Sequence, residues 1–145
     1  MVQSSRSTVY FHFLKPFSLS DRTRLKAFLV SIFRKEKTPL VELSFVFCSD
    51  AYLLKINRQY LNHDYYTDII TFNLSENQKL VRGEVYISID RVRDNARKEK
   101  TTFKEEIHRV MFHGVLHLCG FKDKTPSAKS AMRKAENKYL ELFFT

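Results

Sequence analysis

His113 and His117 stand four residues apart in a stretch with helical periodicity, so both imidazoles project from one face. At that spacing the side chains lie about 6 Å apart, close enough to share one metal ion. Such a pair also arises by chance on many helices, and taken alone it is a weak signal, with two ordinary histidines the commoner case. The residues that follow narrow the choice. Gly120 is placed to end the helix, and the chain turns back through Phe121, Lys122, Asp123 and Lys124, which brings the Asp123 carboxylate within reach as a third ligand. Three protein ligands with a fourth position open is the pattern of catalytic rather than structural zinc, because the ion needs room to activate water or polarise a substrate.

Neighbouring residues define what the pair does not do. Gly114 occupies the place of the glutamate in HExxH, so the usual general base of a zinc peptidase is missing. Gly114 costs about 1 kcal/mol of helix propensity relative to alanine, which either tight helix packing or close approach of a substrate would explain. Cys119 follows His117 by two residues and is expected on the packed side, and His108 is likewise off the metal face. His12 and His63 read as surface residues, with His63 in a polar loop that can approach substrate. From Phe121 to Tyr139, Lys122, Lys124, Lys129, Arg133, Lys134 and Lys138 face only Asp123 and Glu136 as counter-charges. That cluster is either a solvated helix face or a surface that orients a phosphodiester and stabilises charge building on it.

The elements that must position these groups follow from periodicity. Residues 8 to 13 alternate apolar and polar as a half-buried strand, and Ser20 is the expected cap of a helix carrying Leu25, Phe28, Leu29, Ile32 and Phe33 on one stripe. Leu40 to Cys48 reads as a buried strand, and Ser49 caps a short helix through Leu53, Ile56 and Tyr60. Ile69 to Leu74 and Arg82 to Ser88 are two further strands, joined by the polar segment Ser75 to Leu80 as an antiparallel hairpin. Asp90 to Lys100 is a charged helix. Thr102 with Glu105 forms a capping-box pattern for the next helix, which runs to about Cys119, and Thr125 with Pro126 opens the last one. The order βαβαββααα predicts an α+β fold, one mixed sheet of about four strands packed by helices.

At 145 residues the chain has the size of one domain, residues 1 to 145, and its 13 Phe and 7 Tyr exclude a disordered composition. Two cysteines, Cys48 and Cys119, are expected as free thiols in a reducing compartment. A formal charge of +9 favours a polyanionic partner such as nucleic acid. No apolar run is long enough to span a bilayer and the first residues lack a signal-peptide core, so a cytoplasmic protein without a membrane partner is expected.

The stretch HGVLHLCGFKD, His113 to Asp123, resembles the HGxLHLxGYDH signature of the YbeY family of ribosomal RNA maturation endoribonucleases. Two further blocks agree: Ile56 to Leu74 is similar to the family's LN..YR...PTDVLSF segment, and RGEVYIS, Arg82 to Ser88, to its GDIxIS strand. The resemblance covers most of the chain and implies a zincin-like metal-hydrolase arrangement. It implies a zinc-dependent, single-strand-specific endoribonuclease of small-subunit rRNA 3′-end processing and ribosome quality control, with ribosomal RNA and the small ribosomal subunit as partners. Carried over by position, His113 and His117 match two metal histidines, while the third falls on Asp123. A carboxylate there weakens the Lewis acidity of the ion and favours manganese or another divalent metal more than a third imidazole does. The family's arginine falls on Leu61 and a proline on Tyr66, which leaves Arg58 as the replacement cation. Glu84 matches the acid of GDI and is expected to orient a ligand or act as base, its alternative being a satisfied strand carboxylate. The expected catalytic residues are thus His113, His117 and Glu84, with Arg58, His63, Lys122 and Lys124 on RNA. Two other readings stay open: a non-catalytic module that docks on rRNA, and a non-haem iron oxygenase, whose ligand set is also two His and one carboxylate.

Overall fold

The computed structural model describes residues 7–76 and 80–145, so residues 77–79 of the expected Ser75 to Leu80 connection lie outside the described residues. Nine elements follow in chain order: β1 (Thr8–Phe13), α1 (Arg22–Lys35), β2 (Leu40–Cys48), α2 (Asp50–Leu61), β3 (Ile69–Asn73), β4 (Val81–Ser88), α3 (Ile89–Lys98), α4 (Phe103–Leu118) and α5 (Pro126–Phe144). The fold is α+β, as the periodicity predicts. The four strands lie in the order β1-β2-β4-β3. The pairs β1·β2 and β2·β4 are parallel, whereas β3 and β4 are antiparallel, with Thr71 opposite Val85.

Strand alternation divides the core into two layers. Leu43, Phe45 and Phe47 of β2 with Val85 and Ile87 of β4 are fully buried in the main core, packed against Leu25, Leu29 and Ile32 of α1 and Val115 and Leu116 of α4. On the opposite face Cys48, Leu53, Ile56 and Ile70 form a smaller cluster beneath α2, with Phe72 and Tyr86 against it. Burial raises both thiols, Cys48 to about 12 and Cys119 to about 11, and neither is paired.

The start signals hold at three helices. Ser49 accepts from the Tyr52 N–H, Thr102 from Glu105, and Thr125 from Ala128, each capping the helix it precedes. Glu105 turns its carboxylate to the Thr101 hydroxyl rather than closing the capping box on Thr102. Ser20 is not the cap of α1: Asp21 takes that position in a left-handed conformation, after Leu19 has buried itself in the core. Asp21 makes no side-chain cap hydrogen bond, so the burial of Leu19 just before it, and not capping, accompanies this helix start.

Two glycines let α4 lie directly on the sheet. A Cβ on Gly114 would come within 2.9 Å of Val85 Cγ1 and 3.1 Å of Ile69 Cδ1, and one on Gly83 within 2.5 Å of Leu118 Cδ1. Gly114 therefore serves helix packing, and the alternative of a substrate approaching it is set aside. No helix among the described residues is long and apolar enough to cross a membrane.

Candidate metal centre

The α4 helix delivers His113 and His117, and its terminus delivers Asp123. Gly120, at φ 101°, supplies the left-handed residue of a Schellman motif: its N–H reaches the His117 carbonyl and the Phe121 N–H reaches that of Leu116. Phe121 then packs against the core, which reverses the chain and returns Asp123 to the histidine face. Asp123 Oδ2 lies 3.1 Å from His117 Nε2 and 3.4 Å from His113 Nε2. One donor atom from each of the three residues falls within 4.8 Å of the other two, which suits a common ion. All three side chains are partly exposed, so the centre opens to solvent.

The other nitrogen of each ring is already engaged. His113 Nδ1 stands 2.5 Å from Glu136 Oε2 of α5, and His117 Nδ1 lies 3.0 Å from the Phe121 carbonyl oxygen. An acceptor at each Nδ1 holds the proton there, and the Nε2 lone pairs are left facing Asp123. Burial pulls the His113 pKa down, but the Glu136 hydrogen bond and the charges of Glu136, Asp123 and Asp68 outweigh it, and the net shift is upward. The donor chemistry, two imidazoles and one carboxylate, fits a divalent ion.

Glu136 is the functional residue that sequence reasoning missed. It is 4 % exposed, and its second oxygen pairs with Arg109 at 3.1 Å and more loosely with Arg133 at 3.7 Å. The signal was its spacing: Met132, Glu136, Tyr139 and Phe143 mark one buried stripe of α5, so a carboxylate in that stripe needed a partner. Counting Glu136 as counter-charge on a solvated face concealed this.

A cleft of about 790 Å³ runs past the centre, lined by both histidines, Asp123 and Glu136 and by His63, Lys124, Lys129 and Arg133. Asp68, Glu106 and Arg109 also line it. Asp68 accepts a hydrogen bond from Asn95 at 3.0 Å. Glu106 is 6 % exposed, and burial pushes its carboxyl up to about 7 against the opposing pull of Arg109. Of the four residues expected on RNA, His63 and Lys124 reach the cleft. Arg58 instead pairs with Asp64 on the exposed side, and Lys122 is exposed beside Asp123.

Glu84 does not join the histidines. Its neighbours Gly83 and Val85 face α4, so the alternation of β4 turns Glu84 to the α2 face, where it accepts a hydrogen bond from the Tyr86 hydroxyl at 3.2 Å. Glu84 thus lies apart from the histidines as a strand carboxylate with a hydrogen-bond donor of its own. His108 is buried as expected for a residue off the metal face. Its Nδ1 lies 2.6 Å from the Lys104 carbonyl oxygen, and its ring stacks on Phe143.

Comparison with known proteins points the same way. Residues 17–143 match the family model described as Endoribonuclease YbeY. The chain is 50 % identical over 126 residues to the Endoribonuclease YbeY of Cytophaga hutchinsonii, an alignment covering 87 % of this chain and 88 % of that protein. It is 43 % identical over 135 residues to that of Flavobacterium psychrophilum, covering 93 % and 96 % respectively. Among solved structures it is similar to TM1509 from Thermotoga maritima, with a TM-score of 0.65, 28 % identity, and coverage of 94 % of this chain and 89 % of that one.

Proposed function

The chain belongs to the YbeY endoribonuclease family, and on that premise we propose that it cleaves single-stranded RNA at an ion held by His113, His117 and Asp123. Membership makes it a hydrolase of RNA phosphodiester bonds with a role in rRNA processing. The observation that carries the site is the pair of Nε2 atoms converging on Asp123 while both Nδ1 atoms are held by acceptors. Zinc is the ion proposed, since a donor set of two imidazoles and one carboxylate suits it, and manganese is the next candidate. The proposed setting is the small-subunit rRNA 3′ end, in the cytoplasm, with the small ribosomal subunit as partner and residues 1 to 145 acting as one domain.

The protein groups divide the work. A bound divalent ion would lower the pKa of an attacking water or hydroxyl and polarise the phosphoryl oxygen. His113 and His117 would hold the ion through Nε2, because Glu136 and the Phe121 carbonyl each engage Nδ1. Asp123 contributes one negative charge and leaves the liganded centre positive overall. Lys124, Lys129 and Arg133 line the approach, where their charges bind the RNA backbone and stabilise the negative charge that grows on the phosphorane. His63 sits in the cleft wall as a further RNA contact.

An RNA cleavage assay on a single-stranded ribosomal 3′ segment, with zinc and manganese supplied separately, tests this reading. Wild type is expected to cleave, and His117→Ala is expected to lose both metal content and cleavage. Full metal content and full activity in the variant would overturn the assignment.

A further inference from the structure

The end of α2 and its connection to β3 expose three tyrosines. Tyr60, Tyr65 and Tyr66 are 61 %, 55 % and 52 % exposed, although each carries a large apolar ring. The backbone beneath them is held firmly. The buried Asn57 donates its side-chain amide to the Tyr65 carbonyl at 2.9 Å, its own carbonyl accepts the His63 N–H at 3.1 Å, and Arg58 pairs with Asp64. The rings are ordered as well. His63 stacks on Tyr65, with centroids 5.2 Å apart and planes 23° from parallel, and the Tyr65 hydroxyl lies 3.0 Å from His63 Nδ1. Tyr66 rests on the Arg91 guanidinium at 4.8 Å, and Arg91 is itself fixed by Asp50.

This surface is continuous with the candidate centre: His63 and Tyr65 line the same cleft as His113, His117 and the cationic side chains Lys124, Lys129 and Arg133. Flat π-faces in a basic groove are what an unpaired nucleobase seeks, because every base can stack while its phosphates follow the cations. Bases within a duplex are already stacked on both sides and cannot reach such a surface.

We propose that the His63–Tyr65 stack is a platform on which an unpaired base of single-stranded RNA stacks while a neighbouring phosphate lies at the His113, His117 and Asp123 centre. The proposal rests on the RNA-cleaving reading for its ligand, but the platform acts in binding and needs no metal. It gives the cleft its preference for single strands through ring stacking and adds no charge.

The test is fluorescence anisotropy of the intact protein with a labelled 12-nucleotide single-stranded RNA and its matched duplex, in EDTA so that no cleavage occurs. Tyr65→Ala is expected to weaken single-strand binding roughly 5- to 150-fold, the range of base–aromatic stacking. Tyr65→Leu should lose as much, since it keeps apolar area without a π-face, and Tyr65→Phe should retain most of the affinity. Duplex binding and the salt slope should not change, because no phosphate contact is removed. A single abasic position in the strand should erase the difference between wild type and Tyr65→Ala. Unchanged single-strand affinity in Tyr65→Ala, equal losses on strand and duplex, or an abasic scan without effect would each overturn the proposal. If stacking-dependent binding is found in a protein that cleaves nothing with any metal, the platform stands and the cleavage reading falls.

Discussion

Glu136→Gln probes how the centre is tuned, since it changes one atom and leaves the packing of α5 intact. The carboxylate uses one oxygen to accept from His113 Nδ1 at 2.5 Å and the other to accept from Arg109 at 3.1 Å. Glutamine has a single oxygen for these two donors. If that oxygen stays on Arg109, the amide N–H₂ faces His113, which must then accept at Nδ1 and carry its proton on Nε2, the nitrogen that should bind the ion. If the amide flips, the His113 tautomer survives but an N–H₂ group is pressed against a guanidinium. The first arrangement removes a ligand lone pair, and the second costs hydrogen bonding in a buried site. Loss of such an outer partner typically lowers metal affinity about 10- to 100-fold, which is about 1.4 to 2.7 kcal/mol. Zinc affinity measured by competition with a chromophoric chelator at pH 7.5 should fall by that factor, with thermal unfolding of the metal-free protein recorded in parallel. An affinity within twofold of wild type, in a folded variant, would refute the claim that Glu136 sets the His113 tautomer.

Three further outcomes follow from other contacts. Asp123→His supplies a third imidazole and removes one negative charge, so the ratio of zinc to manganese affinity should rise at least about tenfold, and an unchanged ratio in metal titrations would show that Asp123 is no ligand. Gly114→Ala gains about 1 kcal/mol of helix propensity but drives a methyl against Val85 and Ile69, a strain of about 1–3 kcal/mol. The net loss is about 0–2 kcal/mol, so its melting temperature should fall by up to about 8 °C, and a rise would mean that α4 can lift from the sheet freely. Glu106 has its carboxyl raised to about 7 by burial, so the folded state binds a proton that the unfolded chain releases near its ordinary 4.5. That contribution is complete below 4.5 and is lost as pH rises through 7, with a span of roughly 3 kcal/mol. Glu106→Gln should flatten this fall in a series of denaturant titrations from pH 4.5 to 8, and an unaltered slope would assign it to another group.

Local rules made much of the molecule legible. The helices and strands are short, amphipathic and well punctuated, so periodicity and the caps Ser49, Thr102 and Thr125 located them to within about two residues. The histidine pair and the returning Asp123 were legible for the same reason: four residues on a helix and a glycine stop are local geometry. The HGVLHLCGFKD stretch also carried the family resemblance, which the match over residues 17–143 supports.

Groups whose roles depend on distant neighbours were not legible. Glu84 and Glu136 look alike as acids in a sequence, yet strand alternation turns the first to the α2 face, while the packing of α5 on α4 presses the second against His113. Gly114 left packing and substrate approach equally open until Val85 and Ile69 were seen against it. Ser20 lost the α1 cap position to Asp21, with Leu19 buried in the core just before it. The sequence by itself determined the elements, their order and the approach of Asp123 to His113 and His117, since these depend on residues a few positions apart. Only the tertiary structure decided which carboxylate orients His113 and which aromatic rings stand beside the cleft, because those pairings join residues far apart in the chain.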